Sequence, residues 1–131
     1  FKTDIVTEQH NLTNGADTIK LALYTSSATL GASTTAFVTT GQSSGTNYTS
    51  GGGSLTNVTP TLSGSTCVCD FADFTFGTAT VTARGMLLYN STNSNKAIAA
   101  VDFGGDKTST AGDFTVVFPS PTATGAIIRI A

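Results

Sequence analysis

With 131 residues the chain has the size of one domain, 1–131, long enough to bury a core without disulfide or metal staples. Only 11% of its residues are charged, against about 25% in ordinary soluble domains, and the formal net charge is -2. The six basic residues are scattered, which excludes the clustered cations that nucleic-acid binding requires, and no apolar run reaches the length of a membrane-crossing helix. The first residue is not methionine and no signal-peptide pattern follows it, so a trimmed front is expected.

In residues 1–10, Phe1 and Ile5 share a helical face, with Val6 beside them and no Gly or Pro, which predicts a short N-terminal helix or arm over 1–11. Asn14-Gly15 ends it in a turn. Ile19, Leu21 and Leu23 then alternate with Lys20 and Ala22 in the first predicted strand. Residues 25–65 are rich in Thr, Ser, Gly and Asn, with Leu30, Phe37, Val38, Tyr48, Leu55, Val58 and Leu62 as the larger apolar side chains. Such a stretch predicts surface loops with short strands near 35–39 and 54–61, or a segment ordered by a partner. Gly51-Gly52-Gly53 reads as a flexible point inside it.

Thr66-Cys67-Val68-Cys69-Asp70-Phe71 is the next predicted strand, with Cys67, Cys69 and Phe71 on one face. The centre of the chain is a predicted antiparallel meander over 78–118. Thr78-Ala79-Thr80-Val81-Thr82-Ala83-Arg84 alternates, and Met86-Leu87-Leu88-Tyr89 is apolar on both faces, as in a strand that enters a covered interior. Asn90 to Asn95 supply a hairpin turn and 97–103 the return strand. A second turn is predicted over 104–112, followed by a third strand with Phe114, Val116 and Phe118 on one side. Pro119 and Pro121 break the sheet, and Ala126-Ile127-Ile128-Arg129-Ile130-Ala131 closes it. Seven or more short strands separated by turns predict an all-β fold, an antiparallel β-sandwich of jelly-roll or Greek-key type.

No constellation in the sequence carries catalysis. Gly41-Gln42-Ser43-Ser44-Gly45 matches the G-x-S-x-G pattern, but that motif needs a strand-to-helix elbow and a histidine base. The only histidine, His10, falls in the N-terminal segment and reads as a solvated residue near the helix end. Cys67 and Cys69, two apart on one strand, have Cα atoms about 6.5–7 Å apart and parallel side chains, which strains an intrachain disulfide, and they are too few for zinc, so they read as core residues, with interchain disulfides as the alternative. Asp102, Asp106 and Asp113 read as turn formers, with weak calcium binding over 104–112 as the alternative. No cofactor, metal or catalytic residue is expected. Asn-x-Ser/Thr triplets begin at Asn11, Asn47, Asn57 and Asn90 and matter only in a eukaryotic secretory protein.

Several blocks carry a resemblance. Leu21 to Leu30, then Thr34-Thr35-Ala36-Phe37, then Ser44 to Gly52, resemble a family of small virion structural proteins of tailed bacteriophages. The similarity continues through Asp70-Phe71-Ala72-Asp73, Thr82-Ala83-Arg84-Gly85, Leu88-Tyr89-Asn90-Ser91, Val101-Asp102-Phe103-Gly104, Asp106-Lys107-Thr108 and Ala126-Ile127-Ile128-Arg129-Ile130, so it spans nearly the whole chain. The Cys67-Val68-Cys69 pair stands outside the family pattern. The resemblance implies a virion location and a non-enzymatic role. The leading expectation is a capsid decoration or cement protein on the outer capsid surface, whose partners are the major capsid protein and other copies of itself, a trimer being one compatible form. Its expected contact surface is 25–65 together with 1–10, through Phe1, Ile5, Leu30, Phe37, Tyr48 and Leu55. A tail or neck component, such as an adaptor or fibre-attachment module, is the first alternative. A secreted carbohydrate-binding or adhesive module is the second, weakened by the absence of tryptophan and the presence of only three tyrosines.

Overall fold

The computed structural model describes residues 1–131, and the strand signals resolve into two antiparallel sheets preceded by one short helix. The all-β, sandwich-like architecture expected from the alternation pattern is the one that forms. In chain order the elements are α1 (Lys2–Val6), β1 (Ile19–Tyr24), β2 (Gly53–Ser54), β3 (Asn57–Ser63), β4 (Thr66–Phe71), β5 (Phe74–Asn90), β6 (Lys96–Val116) and β7 (Ile128–Ile130). One sheet has the order β2-β1-β5-β6, the other β3-β4-β7. The chain crosses between them at residues 55–56, 72–73 and 117–127.

β1 is central because both of its faces are apolar. Leu21 stands opposite Leu88 and Leu23 opposite Met86 in the ladder with β5. These residues join Ile19, Phe71, Val81, Phe114, Val116, Phe118 and Ile128 in the main core between the sheets. The alternate residues Ala22, Tyr24, Leu87 and Tyr89 form a second cluster with Ala97 on the other side of the sheet. The two-faced run at 86–89 therefore lies in a covered interior, as its pattern predicts. Burying each such Leu fully is worth about 1.5–3 kcal/mol.

The predicted meander is instead a single long hairpin. β6 runs unbroken through 104–112, so the second turn and the separate third strand do not exist. Phe103 to Asp106 on β6 stand against Arg84 alone on β5, and Gly104 takes a left-handed φ of 77°. Gly104-Gly105 thus absorbs extra residues in a bulge without reversing the chain. Further register shifts occur near Thr78 and Ala111, both left-handed, and at the Leu88/Tyr89 step. β6 is the edge of its sheet, and only its first residues are covered from outside, where Ala97 N donates to Thr35 O at 2.9 Å.

Two smaller expectations also change. Residues 35–39 form no strand, only an isolated bridge from Ala36 to Lys96, because their ladder groups are shared with the β5–β6 turn. The strand expected over 54–61 is split into β2 and β3, since Leu55 turns into the main core while its N–H donates to Ile19 O at 2.8 Å. Gly51-Gly52-Gly53 is a close approach, not a flexible point. A Cβ on Gly52 would sit 1.7 Å from Leu21 O, and its φ is 72°.

Candidate contact surface

Residues 25–52 fold back against the β2-β1-β5-β6 sheet: Ala28, Leu30 and Phe37 pack on the second cluster over its outer face, while 42–48 run beside β1 and β5, with Ser43 N donating to Leu23 O, Thr80 N to Thr46 O, and Tyr48 entering the main core. Phe37 stacks on Tyr89 with ring centroids 4.7 Å apart. The chain's three tyrosines fasten this layer. Tyr24 Oη donates to Val38 O at 2.5 Å, and Tyr89 Oη to Gly51 O at 2.7 Å. Tyr48 Oη accepts from Leu23 N at 2.8 Å and from Gln42 Nε2 at 3.0 Å. Burial raises the pKa of all three, with Tyr24 pushed up to about 12, because a phenolate there would lose its water.

The six expected contact residues do not form one patch. Tyr48 and Leu55 are buried in the chain's own main core, Tyr48 tilted against Phe76 at 5.1 Å. They are explained by the domain itself, contrary to the reasoning that singled them out. Leu30 and Phe37 are half-buried on the second cluster, and Phe1 and Ile5 half-buried against the main core. Val6, the third member of the predicted helical face, is 81% exposed. The two expected segments do meet: Phe1 lines one shallow pocket with Gly31, Ala32 and Thr34 above Leu87 and Ala97.

What the layer presents to water is free of charge. From Thr25 to Cys69 there is no Asp, Glu, Lys, Arg or His. Ser26, Ser27, Thr29, Ser33, Thr35, Thr39, Thr40, Ser44 and Thr46 are exposed along it. An uncharged surface of this kind can be covered by another protein without the desolvation penalty that ions carry.

The remaining candidates are committed to local structure. Ser43 is buried and its Oγ donates to Thr82 O at 2.7 Å, so its proton is held by a carbonyl. Cys69 is buried, its thiol pushed up to about 11 by loss of water, while Cys67 is half-buried, and both are free thiols. Asp102 accepts from Gly104 N and Arg84 Nε, and Asp113 from Thr78 N, so each braces a bulge. No three His, Cys, Asp or Glu side chains cluster closely enough to hold a metal ion.

Two features were missed in the sequence. His10 is buried, not solvated, because α1 ends at Val6 and the chain then folds inward. Asn90 Nδ2 stands 3.2 Å from His10 Nδ1, and Phe1 lies against the imidazole at 5.6 Å. A groove of about 630 Å³ lies along β6, lined by Met86, Val101, Phe103, Phe114, Phe118 and Ile127. The alternation at 114–118 marked its apolar wall but not that the wall is left partly open.

Neither a protein-family model, a curated protein nor a solved structure matches this chain.

Proposed function

We propose that the chain is a structural protein of a tailed-bacteriophage virion, acting as a capsid decoration or cement protein on the outer shell. The observation that carries this reading is the uncharged stretch from Thr25 to Cys69, much of it spread as a hydroxyl-rich layer over one face of the sandwich. It falls in the same region as the longest blocks of the family resemblance. Threonine and serine hydroxyls exchange bonds to water for bonds to a neighbour at little net cost, so each contact is weak. Strength comes from repetition: many symmetric copies bridging adjacent subunits of the major capsid protein reinforce the shell together. Self-association at symmetry axes belongs to the same reading.

Quantitative mass spectrometry of purified virions tests it. Copy numbers comparable to the major capsid protein, or a simple symmetric fraction of it, are expected. A few copies per particle would move the protein to the tail or neck. Absence from virions would remove the phage reading, and glycan binding would then be the property to measure.

A further inference from the structure

The arm 1–10 is held to the body by very few groups, and His10 is at their centre. Asn90, fully buried at the end of β5, has Nδ2 within 2.7 Å of Asp17 Oδ2 and 3.2 Å of both Gln9 O and His10 Nδ1, so its two hydrogens serve Asp17 singly and the other two acceptors as a shared, bifurcated bond. Its Oδ1 accepts from Thr92 N at 3.0 Å and from Asn93 N at 3.2 Å. The amide therefore cannot turn over without losing both turn bonds, and His10 Nδ1 must accept. The imidazole proton belongs on Nε2, which is buried without a hydrogen-bond partner, 4.0 Å from Asp4 Oδ2. Asp4 is already engaged, with Lys96 Nζ at 2.7 Å and the Phe1 amino group at 3.3 Å. Asn93 Nδ2 adds bonds to Gln9 O and Gln9 Oε1. Beyond His10 the anchoring is of another kind: Leu12 is in the main core, and Asn57 Nδ2 holds Thr13 O and Asp17 O.

We propose that His10 is an acid-sensitive catch, whose protonation at Nδ1 frees residues 1–10 from the β5–β6 turn while 11–17 stay anchored by Leu12 and Asn57. A proton on Nδ1 faces the Asn90 amide donor, so the charged ring loses its partner and repels the group that held it. Every charged group around the ring enters the balance. Burial lowers the pKa of His10 most; Asp4 and Asp17 oppose this, and the Phe1 amino group and Lys96 add to it, leaving it below the ordinary 6.5. The freed arm, with an ordinary histidine, binds the proton more readily than the docked one. Docking is therefore complete above about pH 6.5 and weakens as pH falls below it, until the lowered value is reached. Asp4 does not confuse this window, since Lys96 holds its carboxyl below the usual 3.8.

The test is heteronuclear NMR of the full chain, titrated from about pH 8 to about pH 5. The expected result is a His10 midpoint below 6.5, with amides 2–9 moving to random-coil shifts and the strands unchanged. The ratio of freed to docked arm should grow by up to about tenfold per pH unit within the window. His10→Gln, which can accept from Asn90 but takes no proton, should be flat across it. A His10 midpoint at or above 6.5 would overturn the proposal, as would immobile arm amides or an unchanged profile in His10→Gln. The wild-type titration decides even if the variant fails to fold.

Discussion

The loop layer 25–52 and the N-terminal arm both lie against the β2-β1-β5-β6 sheet, yet they are fastened by different chemistry. The layer is held by phenols, amides and backbone groups that keep one charge state until strongly alkaline pH. The arm is held through Asp4, His10, Lys96 and Asp17, joined by Asn90. The contrast teaches that the groups able to titrate near neutral pH sit on the arm side of this sheet, while the layer is fastened by groups that do not. The surface proposed for capsid contact would keep its charge state over the pH range in which the proposed catch would open.

Four measurements break or sharpen this contrast. Asn90→Ala should have the largest effect, about 4 kcal/mol in denaturant unfolding, because it strands several buried partners at once. Should it cost less than about 1 kcal/mol, the arm is not held as described. Gly52→Ala should cost about 3 kcal/mol by forcing a Cβ into the Leu21 carbonyl at a left-handed φ, and NMR shift changes should centre on β1 and the layer rather than the arm. Tyr24→Phe should cost about 1.5 kcal/mol, since Val38 O loses its donor. The last effect is alkaline. The raised Cys69 and Tyr24 pKa values mean that stability is complete below the ordinary thiol value of 9.0, begins to fall above it through Cys69, and falls further from 10.0 toward about 12 through Tyr24, so unfolding midpoints should be flat between neutrality and pH 9.0 and steepen above pH 10.0. The absence of any further fall between pH 10.0 and about 12 would contradict the burial of the Tyr24 phenol.

How much of this was legible depends on what each residue type can announce. Alternation marked β1, β4 and both ends of the β5–β6 hairpin, and the two-faced run at 86–89 correctly announced a second covered face. The Gly104-Gly105 pair was ambiguous in principle, because a turn and a bulge make the same demand for left-handed backbone, and only the partner strand decides between them. His10 was misread because a polar residue after a short helix carries no local sign of burial. Its partner Asn90 lies far along the chain, at what pattern reading treats as an ordinary turn residue. Tyr48 was misread for a related reason: its neighbours are all polar, and the hydroxyl that ties it to Leu23 N leaves no periodic trace. Of the proposed contact surface, the absence of charge could be counted directly, whereas which apolar anchors remain available to a partner could not.

The bulges along β6 have a consequence for assembly at high local concentration. A long edge strand with free amides and carbonyls is a template for sheet growth from chain to chain. Here the edge is interrupted at the Leu88/Tyr89 step, opposite Arg84 and near Ala111, so no long stretch keeps a flat, regular register. Copies crowded together would find each other's edges mismatched after a few residues. Polymerisation by strand addition is discouraged, and ordered association is left to side-chain surfaces, whose geometry can close on itself instead of running on as a fibre.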